Sequence, residues 1–442
     1  MLIRSIAVSV LVACSSASAK VVTVKPGGAH PTIQSGIDAA AAGDTIKIHA
    51  GVYREAVVVP AGKDGLELRG LGNVTVEPLD DQAAVLGSGI KISANGVRLN
   101  GLAIRDCRSG GIDTGWGILA PMSVAHVAIV DCSVLGCGAG GIFVAGDDTL
   151  VKSVTVSGAP DAIQLVGDRA RIDRVVVRNA DGAAIRVEGD AAQVRNASVS
   201  RAGSNSVLVY GDDLRVQNCR LDGCFGTGIE VTGDRAALSR NRVTSCEYGG
   251  IFVSGEAPVL TNNSVTACSQ EHCRGIVVDA SAPGGRVAGN TVRAVNGIGL
   301  EVGPTSLQLE LTKNTIEECG EFDQPGVLLA GDGHSLRKNL VRNCREDGIR
   351  IKSGHTALDG DRAEGNVVDG FVIWAAAIVL DGCRATGNGA EGVENKAVLS
   401  IVRDCVMKDN RIDLAGAGLL DTTHSTGNVF TTGGPDTLPQ LD

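Results

Sequence analysis

The chain has 442 residues, 60 of them glycine, with 43% hydrophobic and only 2% aromatic residues and a formal charge of -10. So much glycine with so few bulky side chains argues against a helical bundle and for a strand-rich, turn-rich chain. The acidic balance argues against nucleic acid as a partner, which needs a basic surface, and suits an exported soluble protein.

The first residues, "MLIRSIAVSVLVACSSASAK", place Arg4 before an apolar run from Ile6 to Ala13, followed by small residues. This is a secretory pattern, too short to span a bilayer, so the protein is expected to be exported from a bacterium. Ala17-Ser18-Ala19 suits cleavage before Lys20, which gives a soluble periplasmic or secreted product. Leu11-Val12-Ala13-Cys14 resembles a lipobox, which would instead leave Cys14 lipidated as an outer-membrane lipoprotein. Residues 1–19 are accordingly the signal, 20–44 an N-terminal cap, 45–425 the repeat body and 426–442 a tail. Within the cap, an amphipathic helix is expected over about Thr32 to Ala42, before "GDTIKIHAGVY" opens the first coil.

The body repeats one pattern. The apolar residues after the small residue in "GGIFV", "DAIQLV", "AAIRVEG" and their successors are Ile142, Ile163, Ile185, Val207, Ile229, Ile251, Ile276, Ile298, Val327, Ile349, Phe371 and Val393, with Ile118 upstream. Most steps are 22 residues. A period of that length with short Val/Ile segments is a coil repeat. Alternation within each coil puts Ile185 and Val187 on one side and Arg186 and Glu188 on the other. A Gly-Asp turn follows, and a second strand runs into Asn196, Asn218, Asn241, Asn263, Asn290, Asn314 and Asn339. Asn tolerates left-handed backbone angles, so each is expected to mark a bend.

Short strands at this period stack as parallel strands between successive coils. The pattern resembles the right-handed parallel β-helix of the pectate lyase-like superfamily, and "PTIQSGIDAAAAGDTIKIHAGVYREAVVV" resembles that superfamily's N-terminal segment. The resemblance implies an all-β solenoid whose open end is covered by the helix. It does not fix an activity, because lyases, hydrolases, epimerases, esterases, adhesins and accessory proteins share the fold.

Thirteen cysteines in an exported chain invite a disulfide framework, yet they follow the repeat. Cys224, Cys246, Cys268, Cys319 and Cys344 recur before the Gly-Ile step, and Cys107, Cys132, Cys219, Cys383 and Cys405 recur at or just after the Asn bend. Such residues stack inward as small hydrophobes. Coils about 4.8 Å apart also allow bonds such as Cys246–Cys268 or Cys383–Cys405. In "CSQEHC", Cys268, His272 and Cys273 do not match structural zinc spacing, and a local Cys268–Cys273 bridge suits the loop better.

On this fold a site is sought on the outward side of a sheet, beside inserted loops. The repeat count puts extra residues before Ile276 and Val327 and a bulge, "CRSGGIDTGWG", before Ile118. One outward row contains Glu230, Phe252, Val277, Gly299, Leu328 and Arg350. The other contains Tyr210, Thr232, Ser254, Asp279, Glu301, Ala330, Lys352, Trp374 and Lys396. Asp279 and Glu301 are therefore expected on adjacent rungs. There they would form either a calcium site bridging a uronate carboxylate or an acid–base pair for glycoside cleavage. The plain alternative is two solvated carboxylates. Arg274, at the end of an insertion, is the candidate base for β-elimination. Arg350 and Lys352 would hold a sugar carboxylate, Trp374 would offer a stacking face, and Glu230 and Tyr210 extend the same surface.

Arg350-Ile351-Lys352 matches a substrate-carboxylate signature of the polygalacturonase family. The Asn-Thr-Asp, Asp-Asp and Gly-His-Gly motifs that accompany it there are absent at the matching phase, and "GIRIK" also fits the ordinary repeat. The ladder Asp161, Asn205, Thr227, Arg274, Asn296, Asp347, Asp369 and Glu391, two residues before each inward Ile or Val, reads as turn structure. The composite expectation is an exported monomeric β-helix that engages polysaccharide, acidic glycans foremost, with no cofactor unless calcium. Turnover as a lyase, epimerase or hydrolase is the alternative. A non-catalytic scaffold, adhesin or periplasmic accessory protein is the second alternative.

Overall fold

The computed structural model describes residues 19–79, 88–107, 115–121, 124–268, 270–416 and 424–431. The signal segment with Cys14, most of the bulge before Ile118 and most of the C-terminal tail lie outside the described residues. Among the described residues no helix is long and apolar enough to cross a membrane.

Each coil is built from three short strands joined by bends. The coil beginning at Ile185 shows why: strands Ile185–Glu188, Gln193–Arg195 and Ser198–Ala202 are separated by Ala191 at φ 56° and Asn196 at φ 54°, and Arg201 follows at φ 58°. Single left-handed residues turn the chain sharply without a long loop. Between bends, alternation sends Ile185, Val187, Val194 and Val199 inward, where all are at most 1% exposed.

Every coil pairs in parallel with its neighbours. Sixteen strands, from Val57–Val59 to Ile412–Ala415, form one continuous sheet, referred to below as the site sheet. The other strands form two further rows, exemplified by Leu150–Lys152 and Thr155–Ala159. These rows merge at the N-terminal end, where the long strands Thr45–Tyr53, Glu67–Val76 and Arg98–Arg105 run through the corner. The interior is a single column of Val, Ile and Leu. Its corner before each Gly-Ile step is tight: a Cβ on Gly250 would lie 2.2 Å from Val265 Cγ1.

The helix spans Ile33–Ala39, shorter than expected because Ala40 turns to extended backbone at ψ 150°. Thr32 and Ser35 form its capping box, and Glu55 accepts from the free N–H groups of Ile33 (2.6 Å) and Gln34 (3.0 Å). Ile33 and Ile37 are buried, and Gly36 faces Val24 and Ile46 of the first strands.

Two expectations need correcting. First, Asn196 and Asn218 do carry positive φ, but in the later coils the bend falls one residue earlier, on Arg240, Asn262, Gly289, Lys313 and Lys338. Asn241, Asn263, Asn290, Asn314 and Asn339 are instead buried and form an amide ladder. Each Nδ2 donates to the Oδ1 of the next coil's Asn at 2.9–3.0 Å, and Asn339 donates to Asp361 Oδ1 at 2.7 Å. A second, shorter ladder runs Asn366, Asn388, Asn410 and ends on Asp413. Buried amides satisfied this way are structural, not markers of a turn.

Second, the register places Leu300, not Ile298, opposite Ile276 and Val327. The inward residues Ile251, Ile276, Leu300 and Val327 are thus separated by 25, 24 and 27 residues, and the inserted length is spread over three consecutive coils. Among the described residues the cysteines are buried as expected, with one coil-to-coil bond, Cys224–Cys246, in place of Cys246–Cys268.

Candidate functional site

The inserted residues of those coils crowd one stretch of the site sheet. There a cavity of about 390 Å³ is lined by Glu230, Tyr248, Phe252, Arg274, Asp279, Glu301, Gly303 and Pro304, among others. Its floor follows from the register. Glu230, Phe252, Val277 and Glu301 stand on successive coils in one outward row, with Thr232, Ser254, Asp279 and then Gly303 in the parallel row. Thr227, Gly249 and Arg274 form the row on the other side.

Glu301 is therefore not the rung neighbour of Asp279, as the 22-residue count had it, but its diagonal neighbour. On a sheet that is a separation of roughly 7–8 Å. Gly303 takes the neighbouring rung, and a Cβ there would lie 2.7 Å from Asp279 Oδ1. The missing side chain lets Asp279 lean across, where it accepts a hydrogen bond from Thr305 Oγ1.

The carboxylates are positioned individually. Glu230 Oε2 accepts from Asn205 Nδ2 at 2.7 Å, and Asn205 Oδ1 in turn accepts from Thr227 N at 2.9 Å. Glu301 pairs with Arg274, Oε2 to Nε 2.5 Å, with the glutamate side chain 17% exposed and the arginine 54% exposed. The close approach is an ion pair without hydrogen-bond alignment. Arg274 therefore holds Glu301 and does not stand free as a base. Beside the acids, Phe225 and Tyr248 meet edge to face at 5.5 Å between centroids and are 53% and 61% exposed. Tyr210 lies one coil before Thr232, outside this lining.

Arg350, Lys352 and Trp374 lie further along the same sheet and form a separate cluster. Arg350 is on the outward row, opposite Leu328 and Val372, yet only 7% of its side chain is exposed. It pairs with Asp347 at 2.8 Å and Asp323 at 2.7 Å, and Glu346 is 3.8 Å away. The inserted segment that carries Asp323 thus covers it, and the expectation of a free carboxylate-binding arginine is corrected. Lys352, Trp374 and Lys396 occupy successive rungs. Lys352 Nζ sits 4.5 Å and Lys396 Nζ 5.4 Å from the indole centroid. Lys396 also pairs with Glu394 at 2.7 Å, while Lys352 has no carboxylate partner among the described residues.

Outside Asn205, Thr227 and Arg274, which belong to the cavity, members of the polar turn ladder hold the bend, as expected. Asp161 Oδ1 accepts from Ala183 N and Asp369 Oδ1 from Glu391 N. Burial, and next the hydrogen bond shared with Glu391, push the Asp369 carboxyl up to about 8.

The profile of a family described as "Right handed beta helix region" matches residues 183–322 and 302–434, more than half of the chain. The chain belongs to this family. No curated protein sequence matches it. Among solved structures, a double mutant of the periplasmic alginate epimerase AlgG is similar at 11% identity, covering 91% of this chain and 78% of that one, with a TM-score of 0.34. The catalytic unit of the thermostable GH87 alpha-1,3-glucanase from Streptomyces thermodiastaticus strain HF3-3 is similar at 14% identity, covering 94% and 69%, with a TM-score of 0.41. A tailspike protein double mutant of E. coli bacteriophage HK620 is similar at 12% identity, covering 87% and 71%, with a TM-score of 0.40.

In this β-helix the cavity gathers Glu230, Arg274, Asp279 and Glu301 from the expected residues and leaves Tyr210, Arg350, Lys352 and Trp374 outside it. Sequence reasoning missed Phe225, Tyr248 and Asn205 as parts of the site. Phe225 and Tyr248 each follow a Cys of the bend, in "CFGTGIE" and "CEYGGIF". Two aromatics within one position of each other on adjacent coils of an aromatic-poor repeat were the available signal.

Proposed function

We propose that this β-helix is an exported protein that binds polysaccharide, acidic glycans foremost, at the cavity between Glu230 and Gly303. One observation carries the reading. The chain has six Phe, three Tyr and two Trp in 442 residues, and Tyr248 and Phe252 line this one cavity, with Phe225 packed edge to face on Tyr248. Apolar ring faces beside fixed carboxylates suit the two sides of a sugar, its C–H face and its hydroxyls.

The row that runs on from Asp279 continues through Gly303 and Ala330 to Lys352 and Trp374. Asp279 leans over the buried Gly303, and a glycan seated in the cavity would pass Asp279 and the small Ala330 side chain toward Lys352. The Lys352 ammonium, which has no carboxylate partner among the described residues and lies over the Trp374 ring, favours a uronate there over a neutral sugar. Calcium at Asp279 would neutralise the acidic rim. Among the described residues no three metal-ligating side chains converge, so the remaining oxygens would come from the glycan's own carboxylates. The helix Ile33–Ala39 is assigned to covering the N-terminal end of right-handed coils.

Turnover is the second reading, favoured by the diagonal placement of Asp279 and Glu301. The backbone spacing of such a diagonal is roughly 7–8 Å, so the two carboxyls are not forced together on one rung, and an inverting pair requires room for a water between its carboxyls. The test is incubation of the mature protein with pectate, alginate, chondroitin and neutral glycans, with and without Ca²⁺, following retention, unsaturated ends and new reducing ends. Retention of a uronate glycan without product supports binding alone, and reducing ends without unsaturation support the inverting pair. A protein that retains none of these glycans is not a polysaccharide-binding β-helix.

A further inference from the structure

The interior cysteines are paired by register. Cys224 and Cys246, already bonded, are direct partners in the strand pairing of Arg220–Cys224 with Arg242–Cys246, and their Cα atoms are 4.6 Å apart. Thr244 pairs with Thr266, which also brings Cys268 level with Cys246, but the Cys246 sulfur is already bonded to Cys224. Three other pairs have the same relation with both thiols free. Arg105 pairs with Leu135, which brings Cys107 level with Cys137 two residues on. Glu317 pairs with Arg342, which brings Cys319 level with Cys344. Asp381 pairs with Arg403 and Arg384 with Val406, which brackets Cys383 and Cys405 on one rung. All six are buried and at most 2% exposed.

Cys132 and Cys219 differ. Their rung neighbours are Val154 and, on the two sides of Cys219, Ala197 and Asn241, so no thiol lies one coil away. Stacked coils lie about 4.8 Å apart, inside the Cα range of about 4.4–6.8 Å that a disulfide spans. Thiol pairs on one rung therefore need side-chain rotation only.

We propose that Cys107–Cys137, Cys319–Cys344 and Cys383–Cys405 are disulfide sites which, with Cys224–Cys246, staple coils along the solenoid, and that Cys132 and Cys219 stay as thiols. The oxidant is a disulfide such as oxidised glutathione. One cysteine thiolate displaces a glutathione thiol to form a mixed disulfide. The second then displaces the other glutathione, and two protons and two electrons leave with the two glutathione thiols. Burial requires this to occur while the coils are assembling, because the folded interior admits no such reagent.

The test is refolding of the reduced chain in a glutathione redox buffer, alkylation in denaturant and non-reducing peptide mapping. The fraction of molecules with Cys224–Cys246 closed serves as the internal scale. On that scale the three further bridges are expected at comparable occupancy, with Cys132 and Cys219 fully alkylated. Free thiols at the three pairs in molecules where Cys224–Cys246 is closed would overturn the proposal. Bridges that include Cys132 or Cys219 would overturn it as well. Cys405→Ala should leave Cys383 alkylated and the other bridges unchanged. A different pairing of Cys383 in that variant would show that register does not select the partner. None of these readouts depends on whether the cavity binds glycan.

Discussion

Asp361 ends the long asparagine ladder, and its substitution by Asn should stabilise the protein increasingly as pH rises. The carboxyl is fully buried, with Oδ1 accepting from both the backbone N–H and Nδ2 of Asn339 at 2.7 Å. Oδ2 has no partner. In the preceding rungs the equivalent position is an amide nitrogen that donates to a carbonyl one coil back, as Asn339 Nδ2 does to Leu311 at 2.9 Å and Asn314 Nδ2 to Val287 at 2.8 Å. An ionised carboxylate has no proton to offer there. Burial accordingly pushes the Asp361 carboxyl from 3.8 up to about 7. Because the folded value is the higher one, the group's stabilising contribution is complete below the unfolded value of about 4 and is lost as pH rises through about 7. Between pH 5 and pH 8.5 the loss comes to about 3 kcal/mol. Asp361→Asn keeps both acceptor contacts, restores a donor and removes the titration. Urea unfolding of both proteins at pH 5 and 8.5, followed by far-ultraviolet circular dichroism, isolates the effect as the change in their difference, since the remaining titrating groups are common to both. The variant's advantage should grow by about 3 kcal/mol across that interval. Parallel pH dependences, or a variant less stable at pH 8.5, would refute the reasoning.

Three further outcomes follow from the same geometry. Asn290→Ala removes an amide whose Oδ1 accepts from Asn263 N and Nδ2 and whose Nδ2 donates to Leu260 O and Asn314 Oδ1; urea unfolding should show a loss of at least about 3 kcal/mol from the groups left unpaired. Tyr248→Ala, at a ring 61% exposed, should leave the unfolding midpoint within error and weaken glycan affinity by about tenfold, on the order of 1.4 kcal/mol in calorimetric titration. Gly303→Val would drive a side chain into Asp279; it should weaken glycan retention and any calcium dependence together, while circular dichroism stays unchanged.

Much of the fold was legible because the solenoid writes its period directly into the chain. Every inward residue from Ile118 to Val393 was placed correctly but one. Ile298 failed because the coil after Ile276 carries two extra residues, and "NGIGLEV" offers Ile298 and Leu300 at the same alternation phase. A slip of two preserves which side a residue faces, so Glu301 kept its outward orientation and lost only its rung. The ladder asparagines were misread for a related reason. The bend and the ladder are adjacent positions, and Asn suits either one, at the bend by tolerating left-handed backbone and in the interior by stacking amides. Arg350 shows the limit of pattern: alternation placed it outward, but the segment bearing Asp323, 27 residues earlier, covers it. Ion pairs between inserted loops leave no period to read.

The most direct test of the central claim is a crystal structure of the protein with an oligouronate that its glycan panel retains. Polysaccharide binding at the cavity predicts a sugar ring against Tyr248, hydroxyls within hydrogen-bond reach of Glu230 and Asp279, and a chain running past Asp279 and Ala330 toward Lys352. An oligosaccharide bound on either of the other two strand rows, with the cavity at Tyr248 unoccupied at saturating concentration, would contradict it.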